Sequence, residues 1–204
     1  MQEEHLADRA DRLQREAHAV LDDLGLLTFL APIGHPRIVG SVALGLMTWP
    51  DIDIDVEVAG EIRDDEVWQT ARFLLDQEAV TLVSLADDRS GATENRPPSM
   101  YVGARFRAAE DTIWKIDIRF VRASDAIASA HLEELHAKLM PRSRQWILEI
   151  KDFVCERPEY GRAVSGIDVY RAVLFDGVED LAGFDTWLRQ RDMAADTRQP
   201  RETQ

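Results

Sequence analysis

The chain has 204 residues, 45% of them hydrophobic and 7% aromatic, with 24 basic side chains against 38 acidic ones and a formal net charge of −14. That length suits one full domain, or a core domain with a smaller helical appendage, and is enough to bury a real core. The negative balance argues against nucleic-acid binding over a broad surface, which needs clustered Lys and Arg, and no apolar stretch approaches the ~20 residues that span a bilayer.

Met1 to His5 is acidic and polar, unlike the basic start of a signal peptide, so neither a leader nor a membrane anchor is expected. The single cysteine, Cys155, allows no internal disulfide, which fits a reducing, cytoplasmic setting. Cys155 stands among Ile150, Phe153 and Val154 in a helical pattern and reads as a buried thiol, not a nucleophile.

From Glu3 to Leu24 the apolar positions Leu6, Ala10, Leu13, Ala17, Val20 and Leu21 recur at helical spacing, predicting an amphipathic helix that ends near Gly25. Ile38 and Val39 read as a short buried strand running into Gly40 and Ser41. Ala43, Leu44, Leu46 and Met47 then suggest a helical turn before Pro50. Asp51-Ile52-Asp53-Ile54-Asp55-Val56-Glu57-Val58 alternates strictly, so a strand places four apolar side chains on one face and four carboxylates on the other. A helix follows through Val67, Ala71, Phe73, Leu74 and Leu75, opened by the acidic Asp64-Asp65-Glu66. Val80 to Leu85 reads as a strand, Asp87 to Pro98 as a polar loop, and Met100 to Phe106 and Ile113 to Val121 as two further strands.

Beyond Val121 every signal is helical: Ala126 to Leu139, Gln145 to Val154, Ile167 to Phe175 and Phe184 to Leu188, with Pro158 and Gly161 between the second and third. The expected class is α+β, a mixed sheet flanked by helices with a C-terminal helical bundle. Residues 1–122 form the core with its N-terminal helix, 123–193 the helical region and 194–204 a disordered tail. Internal repeats and low-complexity tracts are absent.

The acidic strand is the most informative segment. Side chains at i and i+2 stand about 7 Å apart along a strand, and a row of like charges destabilises it unless the face is wet or meets cations. The bland reading is a solvated edge strand whose charges discourage aggregation. The sharper one is a metal site, because Asp117, in Trp114-Lys115-Ile116-Asp117-Ile118-Arg119, sits on a second alternating strand and completes three hard oxygen ligands if the strands are neighbours. Such a set suits Mg²⁺, which takes the rest of its shell from water and substrate phosphates. Asp117 paired with Lys115 or Arg119 at the surface is the alternative. Upstream, Gly40 lets a phosphate approach the backbone, and Ser41 can offer its hydroxyl to an anion or merely cap a helix.

In these residues the chain resembles the nucleotidyltransferase superfold shared by DNA polymerase beta, the aminoglycoside and lincosamide nucleotidyltransferases and the small MNT-type proteins. The pattern there is Gly-Ser or Gly-Gly, a short interval, Asp-x-Asp or Asp-x-Glu on a strand, and a third acid on a later strand. Gly40-Ser41, nine intervening residues, Asp51-Ile52-Asp53 and then Asp117 match it in order and spacing, over roughly residues 38 to 121. The chain departs from the frequent Gly-Ser-x-Ala-Arg-Gly in having Leu44 where the Arg stands, and the Asp repeat allows a second register, Asp53/Asp55. Runs of alternating Asp and Ile in the lincosamide enzymes favour the first.

The resemblance implies transfer of a nucleoside monophosphate, AMP from ATP before other NTPs, to an acceptor hydroxyl. Asp51, Asp53 and Asp117 would be the catalytic acids and ligands of two Mg²⁺ ions, with Gly40 and Ser41 at the triphosphate. Lys151, on a later helix, is a further candidate for the nucleotide, because the family often draws a base from there; its plain reading is a surface lysine. Tyr170 and Arg171 either close over the nucleotide or pack and solvate their helix, and Trp49 either stacks on a base or fills core. The five histidines show no zinc spacing. The acidity favours a small cationic acceptor such as an aminoglycoside over nucleic acid. A protein-adenylylating MNT-type enzyme and a non-catalytic nucleotide-binding fold are the alternatives; homo-oligomerisation stays open.

Overall fold

The computed structural model describes residues 4–90, 97–108, 112–126 and 128–196. The chain forms two compact units, Met1–His136 and Ala137–Gln204.

The first unit contains α1 (Leu6–Leu24), α2 (Leu26–Leu30), β1 (His35–Val39), α3 (Gly40–Leu44), β2 (Asp51–Val58), α4 (Asp64–Leu75), β3 (Val80–Asp87), β4 (Ser99–Arg107) and β5 (Ile113–Arg122). The helix α5 (Ala128–Lys138) then carries the chain across the boundary. The five strands form one mixed sheet in the order β1-β2-β5-β4-β3, in which β2 and β5 are parallel and the other neighbours antiparallel. The acidic strand β2 is therefore interior, flanked on both sides, and the reading of its carboxylates as an edge-strand device fails.

Alternation along the strands gives the sheet two unlike faces. Ile52, Ile54, Val56 and Val58 of β2, Val102, Ala104 and Phe106 of β4, and Trp114, Ile116, Ile118 and Phe120 of β5 share one core cluster. It also holds Leu13, Ala17, Val20, Leu21 and Leu24 of α1 and Val67, Ala71 and Leu74 of α4. Each fully buried aliphatic or aromatic side chain contributes about 1.5–3 kcal/mol, so this face anchors β2 and β5 and frees the opposite face to carry charge. Gly25, at φ +61°, closes α1 in the left-handed region and lets α2 start at once. α3 begins at Gly40, before the expected turn, and Gly40, at φ +64°, redirects the chain from the end of β1 into it. β3 runs to Asp87, and residues 91–96 of the expected polar loop lie outside the described set.

The second unit is helical: α6 (Pro141–Val154), α7 (Gly166–Leu174) and α8 (Leu181–Asp196). Ser165 and Asp168 form a capping box at the start of α7, and Asp168 also binds Arg191 of α8, tying the two helices together. α8 runs beyond the expected Leu188 to Asp196, and residues 197–204 of the expected tail lie outside the described set. Cys155 is the C-cap of α6 and only half-buried, because the apolar stripe of α6 ends at Val154 and leaves Phe153 exposed.

Lys151 departs most from expectation. It is 2% exposed, so the surface reading is overturned. It lies on the buried stripe of α6 with Ile147, Leu148, Ile150 and Val154, its Nζ donating to the Tyr170 hydroxyl at 3.1 Å. Tyr170 is equally buried, and Arg171, the next residue of α7, is half-exposed. An ammonium is buried only where partners offset its desolvation, and helix periodicity alone does not reveal them. Lys151→Ala is expected to destabilise the protein by about 2–4 kcal/mol in urea unfolding, and Lys151→Met, which retains the stem, by less. Equal losses would mean that the ammonium, not the stem, carries the contribution.

Candidate active site

The polar face of the sheet is built in rows. Register places Asp51 beside Lys115 and Arg105 in one row, and Asp55 between Arg37 and Arg119 in another, while Arg37 also reaches Glu57 at 3.3 Å. In these rows acid meets base. The row between them is different: Val39, Asp53, Asp117 and Gly103 stand side by side, so two carboxylates on neighbouring strands face each other with no basic residue in the row. Like charges directly opposed across strands are destabilising, so this row calls for a counter-cation.

Oxygens of Asp51, Asp53 and Asp117 all lie within 4.8 Å of one another, and this is the metal-competent cluster found among the described residues. At that separation each ionised pair repels by about 3 kcal/mol at a protein's effective dielectric. Three such pairs approach the ~5–15 kcal/mol that holds a whole domain together, so the cluster cannot stay fully charged on its own. Two devices relieve it. Burial, reinforced by Asp51 and Asp117, pushes the Asp53 carboxyl up to about 7. Lys115 places its Nζ 2.6 Å from Asp117 Oδ2 and 3.3 Å from Asp51 Oδ1. Burial works against this ammonium, but the three aspartates outweigh it and hold its pKa above the ordinary lysine range. The sequence alternative of Asp117 paired with Lys115 thus coexists with the cluster. Asp55, 5% exposed, is outside the cluster; burial raises its pKa and Arg119 opposes the rise.

The Gly40-Ser41 segment abuts the cluster. A Cβ on Gly40 would stand 2.6 Å from Asp53 Oδ2, and the residue's φ is +64°, so both space and backbone require glycine. Ser41 is largely buried but does not cap α3, whose cap position is Val39 and which has no side-chain cap bond. Its hydroxyl has no hydrogen bond among the described residues. Trp49 is half-buried, its ring centroid 5.6 Å from the Lys115 ammonium.

Two residues at the site escaped the sequence reading. The Tyr101 hydroxyl donates to Asp117 Oδ1 at 2.8 Å, and burial with the nearby carboxylate pushes its pKa up to about 12, so it stays a donor. Gly103 makes this possible: any Cβ there would stand 2.1 Å from the Tyr101 oxygen. A glycine inside an otherwise apolar strand signals a close approach, which was the available clue. Lys151 and Tyr170 belong to the second unit, where they hold each other.

The folded chain keeps Asp53 protonated up to about pH 7, whereas unfolded it ionises near the ordinary 3.8. Between these values the folded state binds more protons, so metal-free stability falls as pH rises through them. Asp53→Asn is expected to abolish that fall and to melt higher than the parent protein at pH 8 in EDTA; a variant melting no higher would show that Asp53 is not the strained acid. Gly40→Ala is expected to destabilise by about 1–3 kcal/mol in thermal or urea melts, through its φ and its contact with Asp53.

No protein-family model and no curated protein matches the chain. Solved structures do. It is similar to a cytoplasmic RNA terminal U-transferase at 18% identity and TM-score 0.55, over 79% of this chain and 45% of that one. It is similar to the Cid1 poly(U) polymerase at 19% and 0.57, over 80% and 48%. It also resembles CdnC of E. coli MS115-1, whose structure was solved with ATP, at 14% and 0.50, over 94% and 68%. The chain spans about half the length of the chains in these two uridine-transferring structures. These are nucleotidyltransferase-fold proteins, and the sheet order, the Gly40-Ser41 turn and the acids on β2 and β5 sit in a chain with that same fold.

Proposed function

We propose that the protein is a metal-dependent nucleotidyltransferase that moves a nucleoside monophosphate from an NTP to an acceptor hydroxyl. The observation that carries the reading is the Asp53–Asp117 row, two facing carboxylates with no basic residue in their own row, joined by Asp51 within 4.8 Å. Carboxylate oxygens in this number suit Mg²⁺ and leave coordination positions for water and phosphate. Asp51, Asp53 and Asp117 would hold the metal, and one ion or two at this place would neutralise the triphosphate and favour ionisation of the acceptor hydroxyl. Gly40 brings backbone against the Asp53 carboxyl, and the unengaged Ser41 hydroxyl is suited to a phosphate oxygen. Tyr101 keeps one Asp117 oxygen in place. Asp51/Asp53 is the working pair in this reading, since Asp51 joins Asp53 and Asp117 within 4.8 Å while Asp55 stands outside that cluster, buried in the row of Arg37 and Arg119.

ATP is the first donor to test, with the likeness to the ATP-bound CdnC structure as support. For the acceptor, the −14 net charge favours a small cationic hydroxyl compound. An RNA 3′ end is the second reading, supported by the likeness to the terminal U-transferase and to Cid1. Titration calorimetry with a non-hydrolysable ATP analogue is expected to show Mg²⁺-dependent binding that Asp51→Asn/Asp53→Asn abolishes. Pyrophosphate release with each NTP against aminoglycosides, lincosamides and RNA oligonucleotides should fall at least about 100-fold in Asp53→Asn. Asp55→Asn should be milder; a larger loss there would move the pair to Asp53/Asp55. Failure of the intact protein to bind any NTP would overturn the proposal.

A further inference from the structure

The chain uses lysine sparingly: three of its 24 basic residues, at 115, 138 and 151, are lysines and the rest arginines. One of the three stands inside the acid cluster. The Lys115 ammonium bridges Asp117 Oδ2 and Asp51 Oδ1 at 2.6 and 3.3 Å, on a side chain three-quarters buried, with the Trp49 ring 5.6 Å away. Of the three carboxylates that would ligate a metal, Asp117 is therefore already hydrogen-bonded, and Asp51 ion-paired, to a covalently tethered cation. A divalent ion binds carboxylate oxygen at about 2.1 Å, and an ammonium within hydrogen-bonding distance of the same oxygen would face it as a like charge in a low-dielectric site. The two cations compete.

We propose that Lys115 is a resident counter-cation of the acid cluster, which a divalent metal must displace from Asp51 and Asp117, so that this lysine sets the protein's affinity for free metal. The inference rests on reading the cluster as a metal site. Lysine suits the role, since its ammonium is a single mobile point charge on a flexible stem, whereas an arginine fork would grip a carboxylate at two points. The cluster is also arranged for exchange. Tyr101 holds Asp117 by Oδ1, the oxygen Lys115 does not hold, so Asp117 stays oriented when the ammonium leaves. The Trp49 ring is already within cation–π range of the ammonium, a contact that can persist when the carboxylates are given up to a metal. Displacement is easiest when the metal arrives with a polyphosphate whose negative charge offsets the freed ammonium, so the exchange favours a metal–nucleotide complex over the bare ion.

The test is Mn²⁺ binding to the full chain, without nucleotide, followed by electron paramagnetic resonance of the free ion, in the parent protein, Lys115→Met and Asp53→Asn. Lys115→Met keeps the stem and removes the charge, and it is expected to bind Mn²⁺ about tenfold more tightly than the parent. In parallel, acylation of the parent protein with an amine reagent is read by mass spectrometry, with Lys138 as reference, and saturating Mn²⁺ is expected to raise Lys115 labelling several-fold. A folded Lys115→Met that binds Mn²⁺ no more tightly overturns the inference while leaving the metal site standing, as does Lys115 labelling unchanged by Mn²⁺. If Lys115→Met does not fold, the labelling experiment decides. Absence of Mn²⁺ binding in both the parent protein and Lys115→Met overturns the metal-site reading and the inference with it.

Discussion

Two carboxylates forced to face each other across neighbouring parallel strands are the constraint around which the polar side of this protein is arranged. Nothing in the backbone requires Asp53 and Asp117 to meet; the hydrophobic faces of β2 and β5 do. Ile52, Ile54, Ile116 and Ile118 are essentially inaccessible, and their burial fixes a register that brings Asp53 opposite Asp117. Slipping either strand by one residue would turn its isoleucines to the polar face. Apolar burial thus holds in place an electrostatic conflict that would otherwise push the strands apart.

The surroundings show how that conflict is confined. On each side, the neighbouring rows match acid with base: Asp51 with Lys115, and Asp55 with Arg37 and Arg119. The face as a whole is close to balanced, and the imbalance is concentrated at one place. Protonation of Asp53 and the reach of Lys115 into the cluster both answer it. A permanent arrangement would have placed an arginine in the row itself. The charge left unmatched in the row, with an ammonium reaching in from the next, is the feature on which the proposed cation binding rests.

Two glycines provide the space. Gly40 allows the turn after β1 to pass against Asp53, and Gly103 allows the Tyr101 ring to cross its own strand and reach Asp117. Both act by having no side chain, and in each case the neighbour that would collide is a group at the cluster. The turn and the sheet centre therefore converge on the same three carboxylates from different directions, which gives the Gly40-Ser41 segment its place in the proposed chemistry.

Much of this was legible in the linear chain. Strict alternation in Asp51 to Val58 determined a strand with an acidic face, because side-chain period is a local property, and the spacing from Gly40-Ser41 to Asp51-Ile52-Asp53 and on to Asp117 carried the resemblance to the nucleotidyltransferase superfold. What periodicity could not supply was partnership. Whether β2 lay at an edge, which aspartate lacked a base, that Tyr101 and Gly103 serve Asp117, and that Lys151 lies buried against Tyr170 depend on residues distant in sequence. The sequence by itself determined which residues share a face and which chemistry those residues could do. Only the tertiary structure decided which charges meet, because strand order and register are set by the sum of apolar contacts across the whole sheet and by no single segment.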